Sequence, residues 1–452
     1  MKEFDAVVIG GGPGGYAAAI RASQLGLSVA LIEREALGGT CLNWGCIPTK
    51  SLLHSASLLA DIRAADAFGI SVEGLSFDLA KMVSQSRSAA AQLSQGVKGL
   101  MRKNKVTVFE GHARIVSPGL IAVGDDQIST DSIVVATGAV QKGLGSIQID
   151  GKHIWGAREA MTPKRLPKRL LIVGAGAIGV EFACFYRALG SEVTLLEVAE
   201  HVLPTEDHEV SALVAEALVS QGMTLRLGQG VQALESQKRG VTAEVGGEQL
   251  KFDAAILSVG VEAAIADLGL EELGVEMQSG FITVNDAQMT NVPGIYAIGD
   301  VAGAPCLAHK ATHEAMIVAE SISGGEPHPL QRERIPGCTY GTPQVASIGL
   351  REQDAEPEQV KIGRFPLYAN GKSVVSGHTE GFVKTIFDRE SGALLGAHLV
   401  GEGVTELIQG FAVAIGLETT ETELMHTVFP HPTMSEAMQE SVLLAFDRPL
   451  HL

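Results

Sequence analysis

At 452 residues the chain is long enough for two to four domains and a large buried core. Its formal net charge of −18 argues against nucleic acid or an anionic lipid surface as a partner, while leaving room for a basic protein. Hydrophobic residues make up 46% of it, and its 53 glycines follow no period, which excludes a collagen-like repeat and low-complexity disorder. No stretch approaches the ~20 apolar residues of a membrane helix. The first apolar run ends in glycines instead of a cleavage site, so the expected location is the cytoplasm or an equivalent reducing space.

In chain order, the first element is "FDAVVIGGGPGGYAAAIRASQLGLSVALIE" (4–33). It reads as a buried strand, a turn through Gly10, Gly12 and Gly15, a helix with a small-residue face, and a second strand ending at Glu33. Such a turn brings backbone N–H groups and a helix N-terminus to a pyrophosphate, and the acid suits ribose hydroxyls. Next comes "GGTCLNWGCIPTK" (38–50), with Cys41 and Cys46 five positions apart. In a regular helix that spacing puts the Cα atoms about 8–9 Å apart, whereas a disulfide needs roughly 4.4–6.8 Å. Bonded cysteines here would require a distorted segment, or a helix that only begins near Cys46. Gly45 and Pro48 suit such a start, and a helix N-terminus favours a thiolate. A structural bridge would close a tiny loop and add little stability. A zinc site lacks a second pair of suitably spaced cysteine or histidine ligands, so no metal is expected. In a reducing compartment a cysteine pair is more often catalytic than structural.

The segment 78–103 then reads as a long amphipathic helix whose last residues, Arg102 and Lys103, suit a helix C-terminus. At 169–197, "RLLIVGAGAIGVEFACFYRALGSEVTLLE" repeats the first design, with Gly174, Gly176, Gly179 and Glu197. In both copies the first glycine lies 23 residues before the acid. After Glu197 come Val198, Ala199 and Glu200, with no arginine for a 2′-phosphate, so this site should prefer NAD. The stretch "GGEPHPLQRERIPG" (324–337) marks a boundary. Beyond it, alternating strands and two helical runs (403–416 and 434–446) suggest a smaller α+β domain. Its "HPTMSEA" offers His431 as a base for thiol exchange. Glu436 either orients that histidine or completes a capping box with Thr433.

The chain resembles the pyridine nucleotide–disulfide oxidoreductases over nearly its whole length, and among them most closely the branch that oxidises dihydrolipoamide. The paired fingerprints carry the resemblance, together with "GGTCLNWGCIPTK", "VVATGA" (134–139), "GIYAIGDVAG" (294–303), "LAHKA" (307–311), "EGFVKTIFD" (380–388) and "HPTMSEA" (431–437). It implies an α/β fold with two Rossmann-like dinucleotide-binding domains, one for FAD and one for NAD, and a C-terminal α+β interface domain. The expected division is 1–140 (FAD), 141–265 (NAD), 266–335 (a central segment completing the FAD domain) and 336–452 (dimerisation).

The resemblance also implies roles. Cys41–Cys46 is a redox-active disulfide, with Cys41 exchanging with substrate and Cys46 facing the flavin as its charge-transfer thiolate. Lys50 lies near the flavin and pairs with Glu181, and Asp300 bonds the ribityl chain. FAD is further held by Gly10, Gly12, Gly15, Glu33, Gly39, Thr40, Ala113, Thr137, Gly138 and Ala308. NAD is held by Gly174, Gly176, Ile178, Gly179, Glu181, Glu197, Val231 and Gly260. His431 and Glu436 reach the disulfide of the other subunit, which makes a homodimer with shared sites. The activity implied is FAD-dependent oxidation of dihydrolipoamide by NAD⁺, and the partner is a lipoyl-bearing protein of a 2-oxoacid dehydrogenase or the glycine cleavage system.

Four readings compete with that one, the first being a less familiar relative that acts on another dithiol or disulfide. A glutathione-type reductase would need an NADP site, against Glu197. A mercuric reductase would need a C-terminal cysteine pair, yet none follows Cys338. A non-catalytic scaffold would have no use for Cys41, Cys46, His431 and Glu436. The sequence departs from the family at "VFP" (428–430), where many relatives have a second histidine, at "GVEA" (260–263), and at Gln344.

Overall fold

The apolar run before the first glycine turn forms a strand, β1 (Lys2–Ile9), in the computed structural model, which describes residues 2–452. Its last four residues are buried, as is most of its parallel neighbour β2 (Val29–Glu33). Continuous burial of this kind belongs to a sheet covered on both faces. The sheet runs Thr107–Glu110, β2, β1, Asp126–Val135, and then Leu120–Val123 and Ala113–Ser117 as an antiparallel extension. Ile295–Ala297 lies parallel beside Asp126–Val135. Between β1 and β2, helix α1 (Pro13–Gln24) buries Gly14, Gly15, Ala18, Ala19 and Ala22, so it is a crossover helix of small residues. A short helix, α2 (Gly39–Trp44), and the start of the 19-residue α3 (Cys46–Ala64) follow. The long helix is Leu79–Lys103, with Asp78 capping it through the Lys81 N–H at 3.1 Å. These parts make one compact unit, of residues up to Leu52 with Asp78–Lys142 and Gly260–Leu330.

The second unit holds Leu53–Phe77, Gly143–Val259 and Gln331–Leu452. Its repeat of the first design is β3 (Arg169–Val173), α4 (Ala177–Ala188) and β4 (Glu192–Leu196). The parallel sheet runs Thr224–Arg226, β4, β3, Ala254–Leu257 and Ile154–Trp155. A three-stranded antiparallel meander covers Val231–Phe252. After residue 331 comes a five-stranded antiparallel sheet, ordered Gly337–Thr339, Val345–Gly349, Leu394–Val400, Phe382–Asp388 and Val360–Pro366. Helices Val404–Gly416 and α5 (Glu436–Ala445) close its core, which includes Phe365, Phe387, Leu399, Phe411 and Val442. Gly363 allows α5 this close, because a Cβ there would lie 1.8 Å from the Ser441 carbonyl oxygen.

One row of this sheet is polar: Ser347, His398, Lys384 and Arg364 stand opposite one another on successive strands. The buried Lys384 ammonium meets Asp207 at 2.8 Å, Glu209 at 2.7 Å, and Glu352. Burial works against its charge, and the three carboxylates outweigh it and raise its pKa. The three carboxylates lie close enough together to hold a cation, and Lys384 is that cation.

Candidate active site

In the first unit, β1 ends at Ile9 and the chain turns through Gly10 at φ +107°, where a Cβ would lie 2.3 Å from the Ala136 carbonyl oxygen. Gly12 precedes α1 in an extended conformation (φ −72°, ψ −176°), with no side chain capping the helix and Pro13 opening it. A Cβ on Gly15 would lie 1.8 Å from the Gly10 carbonyl oxygen, so strand and helix meet backbone to backbone. Both Glu33 carboxylate oxygens accept backbone N–H groups, from Gly11 and Glu35, each at 2.7 Å. The next glycines fold back onto this turn. The Gly38 N–H donates to the Gly11 carbonyl at 2.8 Å, and a Cβ on Gly39 would lie 2.6 Å from Gly12 Cα.

Thr40 and Cys41 lie in α2, and the helix breaks at Gly45 (φ −151°, ψ −113°) before α3 begins at Cys46. The break therefore falls between the two cysteines, as their spacing predicts. Both are thiols here, hydrogen-bonded to each other. That hydrogen bond, then burial, raises the Cys41 pKa strongly, while the Lys50 ammonium pulls the other way. The segment is held from outside: Asn43 donates to the Leu37 and Gly39 carbonyls, Ser86 donates to the Pro48 carbonyl, and the Arg87 guanidinium sits 3.9 Å over the Trp44 ring.

Elsewhere in this unit, Ala113 is a buried strand start and Gly138 turns at φ +71° with open space around it. Next to it the Thr137 hydroxyl is buried with no hydrogen-bond partner among the described residues. Asp300 sits in the short turn Gly299–Ala302, where burial raises its pKa and Lys310 opposes the rise. Ala308 opens the helix Ala308–Ile322. Sequence reasoning missed Lys310 and Glu314, a buried pair at 3.1 Å that holds the Asp300 turn. Lys310 donates to the Gly299 and Gly303 carbonyls, and Glu314 accepts the Gly299 N–H. Their four-residue spacing in "HKATHEA" was the available signal.

The second unit repeats the first turn closely. Gly174 has φ +102°, Gly176 is extended (φ −71°, ψ −177°), and a Cβ on Gly179 would lie 1.9 Å from the Gly174 carbonyl oxygen. Glu197 accepts the Ala175 N–H at 2.7 Å and the Ala199 N–H at 3.0 Å. Ser258, also unforeseen, donates to the Gly174 carbonyl at 2.8 Å and so braces the turn. Ile178 is half exposed on α4, Val231 opens the meander, and the buried Glu181 accepts the Tyr340 N–H at 3.0 Å. Gly260, unlike the other NAD candidates, belongs to the first unit, where it turns at φ +103°.

His431 is well exposed, and its Nδ1 lies 2.8 Å from Glu436 Oε1. Burial raises the Glu436 pKa, but the Thr433 N–H and the His431 ring outweigh it, so the carboxyl ends below its ordinary value. An ionised carboxylate only accepts, so Nδ1 carries the hydrogen and Nε2 is left for proton exchange. The capping-box expectation needs correction. The N-cap of α5 is Ser435, and the Thr433 hydroxyl donates to the Pro430 carbonyl. Only half the box forms, Thr433 N–H to Glu436 Oε2 at 2.9 Å; the Thr433 hydroxyl, which would accept the Glu436 N–H in the other half, is turned to the Pro430 carbonyl and the Ser435 hydroxyl.

The profile of the pyridine nucleotide-disulphide oxidoreductases matches residues 4–315, and that of their dimerisation domain matches 335–442. The chain belongs to the pyridine nucleotide-disulphide oxidoreductases. Among curated relatives, the dihydrolipoyl dehydrogenase of Zymomonas mobilis is 52% identical, with 99% of each chain covered. That of Rhizobium etli is 46% identical, with 100% of this chain and 99% of the relative covered. Among solved structures, LpdA of Mycobacterium tuberculosis superposes with a TM-score of 0.91 at 27% identity, over 98% of this chain and 99% of the other. RclA of Escherichia coli, an HOCl-induced flavoprotein disulfide reductase, gives 0.87 at 27% identity, over 97% and 99%.

The enzyme uses FAD and NAD, and its C-terminal domain serves a homodimer. The geometry fits two dinucleotides: each glycine turn presents an uncapped helix N-terminus, and the first unit adds the orphaned Thr137 hydroxyl. No described helix is long and apolar enough to cross a membrane.

Proposed function

We propose that this chain oxidises dihydrolipoamide to lipoamide, with a Cys41–Cys46 disulfide as first electron acceptor and electrons passing through FAD to NAD⁺. The carrying observation is a pair of thiols in hydrogen-bond contact across a helix break, on a segment folded against a dinucleotide turn. One substrate sulfur, as thiolate, attacks Cys41 Sγ; the bond between the two cysteines breaks and Cys46 leaves as a thiolate. Cys46 is the first residue of α3, where the helix dipole favours that charge, and Lys50 follows one turn later. The second substrate sulfur gives its proton to His431 Nε2 and attacks the first sulfur, closing the lipoamide ring and releasing Cys41 as a thiolate. One substrate proton thus ends on His431 and the other in solvent, and the two cysteines hold both electrons. FAD, which the first glycine turn with Lys50 and Asp300 would hold, would supply the acceptor for these two electrons and so allow the disulfide to re-form, with NAD⁺ at the second turn as the final acceptor.

We assign the His431–Glu436 pair of one protomer to the disulfide of the other, the FAD candidates to a site built on the first glycine turn, and the NAD candidates to a site built on the second. Glu197, followed by Val198, supports NAD over NADP. The reading also makes the natural substrate a lipoyl-bearing protein of a 2-oxoacid dehydrogenase or the glycine cleavage system. A cytoplasmic location is proposed with it, since a reducing compartment keeps such thiols available.

The test is turnover of dihydrolipoamide with NAD⁺, beside controls with NADP⁺ and with glutathione disulfide plus reduced nucleotide. Cys46→Ser should abolish turnover and the long-wavelength absorption band seen on two-electron reduction. His431→Gln should lower kcat by about a hundredfold or more, the worth of a general base. Survival of the band in Cys46→Ser, or wild-type turnover in His431→Gln, would sink the assignment.

A further inference from the structure

One turn beyond Glu436 on α5, a second carboxylate holds a second imidazole. Glu440 is only 5% exposed, and its Oε1 meets His451 Nδ1 at 2.7 Å while its Oε2 accepts the Leu450 N–H at 3.2 Å. The His451 ring itself is 67% exposed. Residues four apart on a helix share a face, and two carboxylates so placed repel if both are ionised. A carboxylate buried as deeply as Glu440 needs a paired donor to stay charged. His451 and the Leu450 N–H meet that need from the segment that folds back after α5. The ring also acts on Glu436: against the opposing effect of burial, and after the Thr433 N–H and His431, it contributes to lowering that carboxyl's pKa.

We propose that His451 is a positioning residue for the dithiol half of the reaction: by pairing with Glu440 it offsets the second carboxylate of α5 and leaves Glu436 to orient His431. It touches neither substrate nor cofactor in this role, and acts through Glu440 and Glu436 on the base. The proposal rests on the reading of His431–Glu436 as the base pair.

The test compares His451→Phe, His451→Asn, Glu440→Gln and the His451→Phe/Glu440→Gln double variant in the holoenzyme. Two reactions are measured: dihydrolipoamide oxidation by NAD⁺, and reduction of ferricyanide by NADH, which bypasses the disulfide. His451→Phe should lower kcat for dihydrolipoamide about tenfold, the order of one lost charge-assisted hydrogen bond, with KM within about twofold. Ferricyanide reduction should be unchanged. His451→Asn keeps a donor for Glu440 and should recover most of the loss. The double variant should recover it too, because no carboxylate charge is left to offset. The proposal is overturned if His451→Phe oxidises dihydrolipoamide at the wild-type rate, if both reactions fall together, or if neither His451→Asn nor the added Glu440→Gln restores activity. His431→Gln separates the two levels: if it is crippled while His451→Phe is not, only the positioning role fails, and if it turns over normally the base reading fails.

Discussion

The two glycine turns have nearly the same backbone and very different surroundings. Gly12 and Gly176 differ by one degree in φ and one in ψ, and each fingerprint glutamate accepts two backbone N–H groups. Around Gly12, however, the chain folds over: a Cβ there would lie 3.9 Å from Gly39 Cα, and Gly14 abuts the Ala311 carbonyl. A Cβ on Gly176 would meet no such neighbour within 4 Å among the described residues, and Ile178 and Val198 stand out, the latter 74% exposed. The turn chemistry is one solution to holding a pyrophosphate, and the two neighbourhoods differ in how closely they cover it. In the function we propose, the closed copy would take the resident FAD and the open copy the exchanging NAD.

The largest effect that could break this comparison comes from the third glycines. Gly15→Ala and Gly179→Ala each push a Cβ to within 2 Å of a carbonyl oxygen on the facing strand end. Overpacking costs about 1–3 kcal/mol, and a clash with backbone belongs at the top of that range or beyond. Both variants should lose several degrees of Tm in thermal unfolding. Gly15→Ala should also be purified without flavin absorbance, while Gly179→Ala keeps its flavin and loses NAD⁺ turnover. Flavin loss in both would mean that the two copies are not independent sites.

A subtler separation comes from the second glycines. Gly176→Ala meets open space, so its Tm should stay within a degree or two of wild type. Its Cβ would nevertheless stand where backbone approaches the pyrophosphate, and KM for NAD⁺ should rise about tenfold, or ~1.4 kcal/mol. Gly12→Ala should act on the other cofactor, lowering flavin occupancy after dialysis and leaving KM for NAD⁺ alone. An unchanged KM in Gly176→Ala would remove the second turn from the NAD site.

These turns were legible in the sequence because their geometry is local: strand, glycine spacing and acid sit within one stretch of chain, and only glycine satisfies the close approaches. The helix break at Gly45 was legible for a similar reason, since five residues of regular helix hold two Cα atoms too far apart. The supports were not legible. Ser258 braces Gly174 from 84 residues away, and the partnerless Thr137 hydroxyl is visible only once the strands are assembled. Glu436 was ambiguous because one carboxylate can both cap a turn and hold a histidine, and the structure divides its two oxygens between those tasks. His451 drew no attention because its partner lies 11 residues back on a helix whose register the sequence does not reveal.

The smallest expected effect concerns what the open copy accepts. Val198 follows Glu197 and projects into solvent, and none of the three residues after Glu197 is basic, so none of them could meet a 2′-phosphate. Val198→Arg would add one exposed charge pair, worth at most about 1 kcal/mol, so the ratio of kcat/KM for NAD⁺ over NADP⁺ should fall by only about three- to fivefold. The preference should not reverse, because the Glu197 carboxylate still repels the phosphate and remains tied to two N–H groups. Combining Val198→Arg with Glu197→Gln should move the ratio further, and the gain should shrink at high salt, as an exposed ion pair requires. If the unaltered chain already used NADP⁺ as well as NAD⁺, the open copy would be selecting its ligand by some contact other than Glu197.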